Sequence, residues 1–366
     1  MPTDRFRALD ELRAFVVFLV VALHAALTYM VYAPEWWYVL DPQRSLIYTR
    51  FVLLVDVPIM LIMFFLAGYF ALPSLERKGA ATFLKDKAIR IGGPWVFGVL
   101  VLAPPTAWMI YYSRGAPLSL FAFWTGDFWG VAYQQSVYWF LGVLLALFLA
   151  TALVWRLTAG TAIWRRRPAA PPAWVLAAFV LAMILASLAT GSSVDRWSHN
   201  WVLVYQPARV PLYVGYFALG IWADRSGWFT DGGWHPKLVH WLPAMIVAGL
   251  VYDATRMILP TLAPAGLVNL ATAVFFNVFC FTSLLAGIAV FSLRRSHGPV
   301  SQSLARTAYG IYYLHPLILY PLALIAVAWP VSIHVKMPAI TLIAWLVSWA
   351  LSAGVLTRVP GLRRMF

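Results

Sequence analysis

The apolar runs along this chain are each about twenty residues long, and that length limits its fold more than any other property. Roughly 20 consecutive apolar residues are what an α-helix needs to cross the hydrocarbon core, whereas a membrane β-strand needs about ten in alternation. The runs read as spans near residues 14–33, 52–72, 94–112, 138–157, 174–190, 206–223, 241–259, 268–291, 307–329 and 338–357. Only 11% of the residues are charged, about half the share of a soluble domain, so little sequence is left for a soluble module. The expected fold is all-α: a polytopic membrane bundle of about ten transmembrane helices, forming a single membrane domain over residues 1–366. Pro34, Pro73, Pro94, Pro117, Pro207, Pro260 and Pro330 fall near the breaks and are expected at helix ends.

The net charge of +14 does not indicate a nucleic-acid partner, because the basic residues are scattered in small clusters between apolar runs. Most of the 27 lysines and arginines lie in alternate loops: the N-terminus, ERKGAATFLKDKAIR, WRRR, the loop over 224–240, LRR ahead of Arg306, and RVPGLRR. The intervening loops hold only Arg44, Arg50, Arg114, Arg196, Arg209 and Lys336. Cytoplasmic loops carry the excess of positive charge, so both termini are expected to be cytoplasmic. The expected setting is the bacterial inner (cytoplasmic) membrane, crossed many times, with the lipid bilayer as a partner. Asp4, Asp10 and Glu11 make the N-terminal segment unlike a signal peptide, and Asp10 is expected to cap the first helix. Cys280 is the one cysteine, so no intramolecular disulfide forms.

Two histidines lie inside apolar runs. An ionisable side chain there is costly and is by default a functional-site hypothesis. His24 follows Arg13 in RAFVVFLVVALH; eleven residues of helix make about three turns, which places both near one face and about 16 Å apart along the axis. His315, in YGIYYLHPLILY, lies nine residues beyond Arg306 at a comparable depth, ahead of the helix-disturbing Pro316. Two histidines at one depth on different helices could share a pocket, but the sequence does not show that they meet. A neutral imidazole is what a general base for a hydroxyl group needs, and its ordinary pKa of about 6.5 suits that role near neutral pH. His199, His235, His240, His297 and His334 fall in loops or at span ends, and no His/Asp/Glu spacing resembles a metal site, so no metal is expected.

Asp56 and Arg209 are expected near the outer surface, where a hydrophilic acceptor would approach. Asp253 and Arg256, three residues apart in one span, are expected to neutralise each other across a helical turn. Arg13, Lys87 and Arg90 suit a phosphate-bearing donor on the cytoplasmic side, arginine in particular through its bidentate donor set. The aromatic loops EWWYVLDPQ, FAFWTGDFWG and DRWSHNW are expected mainly as interfacial belts, with stacking on sugar rings as the alternative.

The chain resembles the acyltransferase-3 family of integral membrane acyltransferases. The resemblance rests on RALDELRA followed by the Arg13-x10-His24 spacing. It continues through FFLAGYF (64–70), KAIRIGGP (87–94), YWFLGVLLALF (138–148), YFALGIWA (216–223) and YGIYYLHP (309–316), in the family's order. It implies a ten-helix bundle that takes acyl groups from cytoplasmic acyl-CoA, a co-substrate and not a tightly bound cofactor, and places them on extracytoplasmic carbohydrate hydroxyls. The pattern is also similar to the branch that succinylates periplasmic glucans. By the resemblance Arg13 and Arg90 stand at the coenzyme A mouth, His24 is the essential histidine, and His315 is the histidine of the Y-x-x-H-P region. Acetyl and succinyl remain alternatives, and oligomeric state is not legible. Two other readings compete: a transporter or flippase of a sugar-containing substrate, and a haem protein ligated by His24 and His315.

Overall fold

The computed structural model describes residues 4–158, 161–191, 196–200, 202–230, 232–293 and 298–366. Arg294, Arg295 and His297, together with Asp195 and Trp201 of DRWSHNW, lie outside the described residues. A helix occupies each of the ten segments: α1 (Asp4–Leu27), α2 (Leu46–Lys78), α3 (Ala80–Tyr112), α4 (Trp139–Leu157), α5 (Ala173–Thr190), α6 (Val210–Arg225), α7 (Leu238–Met257), α8 (Ala265–Ser292), α9 (Pro299–Val327) and α10 (Ile333–Leu351). Eight of these helices are long and apolar enough to cross a membrane. The other two are α1, whose first half carries Asp10, Glu11 and Arg13, and α6, which has only 16 residues. The strands among the described residues are a two-residue antiparallel pair, β1 (Ser198–His199) and β2 (Val204–Tyr205).

Lipid tails are as apolar as leucine, so helices within a membrane associate through close packing more than through the hydrophobic effect. The crossing of α2 and α6 shows this. A Cβ added to Gly68 would come within 2.0 Å of the Phe217 carbonyl oxygen, and one added to Gly220 within 2.1 Å of that of Phe65. Each glycine thus receives the other helix's backbone. On the far side of α2, helix α1 lies beside α9, and the two run parallel. Glu11 accepts from Ser301 Oγ, Arg13 Nη2 donates to the Ala305 carbonyl at 3.1 Å, and His24 meets His315 further along both helices.

Several local expectations are corrected. Helix α1 begins by Asp4, so Asp10 is no N-cap; its carboxylate pairs with Arg13 at 2.9 Å, one turn on. The same helix stops at Leu27, short of residue 33, where Thr28 and Tyr29 close it with bonds to the Ala25 and Ala26 carbonyls. Pro73 lies inside α2 and Pro94 inside α3, not at helix ends. Helix α3 adjusts through π-turns at Ala88–Gly92 and Gly98–Leu102, the first just ahead of Pro94, and such local changes re-satisfy backbone groups freed by a proline.

Replacing Gly68 or Gly220 with valine is expected to lower the melting temperature in detergent or abolish the monodisperse protein peak, because backbone sits where the side chain would go. Gly266, which faces open space, should accept alanine without that loss.

Candidate active site

His24 occupies the last turn of α1 and His315 a fully buried position in α9. Their rings lie nearly parallel, 11° apart, with His24 Nδ1 2.8 Å from His315 Nε2. The hydrogen-bond network fixes the tautomers. The Tyr312 carbonyl oxygen only accepts, so His315 Nδ1, 2.7 Å away, carries the proton that reaches it. With both rings neutral, His315 Nε2 is a bare lone pair and His24 Nδ1 must donate to it. His24 Nε2 then carries the remaining lone pair of a ring that lines a cavity. The chain of carbonyl, imidazole and imidazole orients the outer ring as a carboxylate orients the histidine of a catalytic triad.

The same geometry speaks against haem. The axial ligands of a bis-histidine haem lie on opposite sides of the iron, about 2 Å from it and so about 4 Å from each other, and two nitrogens hydrogen-bonded at 2.8 Å do not stand in that arrangement.

Residues 28–45 fold back against this pair instead of lying on the membrane surface. Trp37, Tyr38 and Val39 are buried. Trp37 sits 5.5 Å from the His24 ring and directs its indole N–H at Thr28 Oγ1, while Tyr38 stacks on Tyr320 at 4.0 Å. Asp41, 1% exposed, holds the segment down: its backbone N–H donates to the Thr28 carbonyl, and its carboxylate takes Lys336 Nζ of α10 at 3.0 Å. Lys336 is 3% exposed and also reaches the Val327 carbonyl. The belt expectation is therefore corrected for Trp37 and Tyr38, whereas Trp36 stays exposed. In FAFWTGDFWG, Phe123 and Phe128 are buried, and Phe121 faces outward.

His24 opens onto a cavity of about 1270 Å³. Its lining includes the C-terminal ends of α1, α3 and α7, the N-terminal ends of α2 and α4, and Gln206 and Arg209 just ahead of α6, so it lies towards one end of the bundle. Asp56 and Arg209 both line it and form an ion pair, with the Arg209 guanidinium 5.6 Å over the Phe276 ring. Asp253 does not neutralise Arg256. It turns to Arg50 at 3.6 Å, and Arg256 lines the cavity. Three further lining residues gave no sequence signal: Gln134, which accepts from the Tyr38 hydroxyl at 2.9 Å; Gln135, which donates to Tyr133 and Val202; and Ser136. Ser136 holds φ at 46°, a left-handed conformation that serine rarely adopts and that often marks functional sites.

Arg13, Lys87 and Arg90 do not line this cavity. Arg13 is engaged by Asp10 and the Ala305 carbonyl. Lys87 lies over Phe148 at 4.2 Å and Phe83 at 5.2 Å. Arg90 is exposed on the first π-turn of α3, where its carbonyl accepts from Tyr309. Among the described residues no group of three or more His, Cys, Asp or Glu side chains is arranged to hold a metal.

A histidine on the wall of a cavity, backed by a second, buried histidine within a bundle of apolar helices, is an arrangement able to take a proton from a hydroxyl, the class of chemistry that acyl transfer requires. The sequence profile of the acyltransferase-3 family, described as an acyltransferase domain, matches residues 6–354, and the chain belongs to that family. Curated relatives from Shigella boydii serotype 4 (strain Sb227) and Escherichia coli (strain K12), both named glucans biosynthesis protein C, are 28% identical over 160 residues. The match covers 42% of this chain and 40% of each relative, so the chain spans less than half the length of the curated relatives it matches. No solved structure matches the chain.

Removing one partner of a fully buried ion pair leaves the other charge uncompensated, at a cost of about 3–5 kcal/mol. Lys336→Met is therefore expected to lower the melting temperature markedly and to loosen residues 28–45. Increased trypsin cleavage at Arg44 would report the loosening, and unchanged stability and cleavage would show that Asp41 and Lys336 do not anchor the segment.

Proposed function

We propose that this protein is a membrane O-acyltransferase that moves an acetyl or succinyl group from cytoplasmic acyl-CoA to a hydroxyl of an extracytoplasmic carbohydrate. The observation that carries the reading is the hydrogen-bonded chain from the Tyr312 carbonyl through His315 to His24, which leaves His24 Nε2 as a base facing a cavity large enough for a sugar. Family membership supports the reaction class, and the name of the glucans biosynthesis relatives supports a carbohydrate acceptor.

In this mechanism the acceptor enters from the end of the bundle where the cavity opens, between Asp56 and Arg209 on one wall and the aromatic loop on another. The donor approaches from the opposite end, past Arg13, Lys87 and Arg90, whose charges suit the phosphates of coenzyme A. His24 Nε2 takes the hydroxyl proton as the oxygen attacks the thioester carbonyl. The resulting imidazolium is steadied by His315. Collapse of the tetrahedral intermediate forms the ester and breaks the C–S bond, and the sulfur leaves with the proton held by His24. No cofactor stays tightly bound. The chain acts as a single domain of ten spans in the bacterial inner membrane, with both termini cytoplasmic; α1 and α6 complete the count beyond the eight apolar helices, since their neighbours shield their charges and short length.

The test is acceptor-dependent release of CoA by the purified protein, with mass spectrometry of the acceptor. His24→Ala should lose transfer by about 10²–10⁴-fold while remaining folded and membrane-inserted. His315→Ala should reduce kcat with KM for both substrates little changed, because it orients the base and touches neither substrate. Activity should fall as pH drops through the range in which imidazole becomes protonated. Normal transfer by His24→Ala would refute the reading. Movement of sugar across vesicles without CoA release would favour a transporter or flippase.

A further inference from the structure

Five acidic and basic side chains line the His24 cavity: Glu35, Asp56, Arg114, Arg209 and Arg256. Four of them balance. Arg209 pairs with Asp56, and Arg114 lies beside Glu35 with its guanidinium taken up by the Glu35 and Trp37 carbonyls at 2.7 and 3.0 Å. Arg256 is left over. The acid one turn before it, Asp253, is engaged by Arg50, and among the described residues Arg256 makes no hydrogen bond or ion pair. It is partly buried on the cavity wall. An uncompensated guanidinium on a cavity wall attracts an anion and binds a carboxylate in a bidentate manner.

The position of Arg256 indicates where that anion belongs. Arg256 lies one residue from the C-terminal end of α7, towards the mouth, whereas His24 lies deeper, where α1 meets α9. The same cavity is lined by Trp36, Trp139 and Trp197, a cluster of edge-on indoles with centroids 6.4 and 5.3 Å apart, and by the amides of Gln134 and Gln206. Indole faces suit the apolar faces of a pyranose, and amides suit its hydroxyls.

We propose that the acceptor is an acidic saccharide, whose carboxylate is held by Arg256 while a hydroxyl of the same or the adjoining sugar reaches His24. This specifies the acceptor of the function proposed above and rests on that reading only for the role of His24. The binding site stands on the charge balance of the cavity.

Binding is measured without any acyl donor, so its outcome is separate from that of the transfer assay. The full-length protein in phosphatidylcholine nanodiscs is titrated with D-glucuronate and with D-glucose, read by tryptophan fluorescence, as wild type, Arg256→Gln and His24→Ala. Wild type and His24→Ala should prefer glucuronate by roughly ten-fold or more, the scale of one charge-assisted pair. In Arg256→Gln the two sugars should bind within about two-fold of each other. Equal binding of both sugars by wild type, failure of glucuronate to bind, or a preference that survives in Arg256→Gln would overturn the proposal. Loss of the preference in nanodiscs containing phosphatidylglycerol would assign Arg256 to lipid phosphate. An Arg256-dependent preference for succinate over acetate, with the two sugars tied, would assign it to the acyl group. Either result would equally overturn the acceptor reading.

Discussion

The seam between α1 and α9 is the interaction on which the site depends. It is fastened at three levels: Glu11 with Ser301, Arg13 with the Ala305 carbonyl, and His24 with His315. Because the two helices run parallel, residues eleven apart on one meet residues ten apart on the other, and a contact at the charged end sets the register at the histidine end. The polar bonds of this seam are made in surroundings with few competing partners. A one-residue slip would leave several buried polar groups unpaired at once, each at a cost of about 1–3 kcal/mol. The register of the histidines is thus held by the whole seam and not by their own bond alone.

The early end of α1 gives the site its access. A helix continued to residue 33 would have left His24 among packed side chains. Stopping at Leu27 exposes the ring at a helix end and frees residues 28–45 to line the opening. Irregular backbone inside a membrane protein must be satisfied by protein or by water in a cavity. Here the Thr28 and Tyr29 carbonyls accept from Asp41 and Ser45, and the Asp41–Lys336 pair fastens the segment to α10. The tryptophan beside His24 and the ion pair that fastens its segment therefore belong to one structural unit.

The histidines were legible in the sequence because the cost of a polar ring in an apolar run is itself a signal, and helical rise gave their common depth. Asp56 and Arg209 were legible in part: their placement near one surface followed from span order, but their pairing did not. Arg256 was misread. The i, i+3 spacing to Asp253 favours a local pair only when no other cation competes, and Arg50 of α2 competes successfully. Trp37 and Tyr38 were read as surface aromatics because a loop between spans is expected at the interface. Nothing in their local sequence encodes the buried lysine on α10 that anchors the segment.

Run length and the paucity of charge determined by themselves that the chain is nearly all helical, with eight helices long and apolar enough to cross a membrane, since lipid leaves the backbone few other ways to satisfy its hydrogen bonds. That His24 and His315 lie at comparable positions along their helices followed from the same helical rise. Only the tertiary structure decided which nitrogen of His24 meets His315, which cation takes Asp253, and which loop closes over His24. Each of these depends on contacts between residues far apart in the chain, such as His24 with His315, Asp41 with Lys336 and Arg50 with Asp253, and helical periodicity carries no information about them.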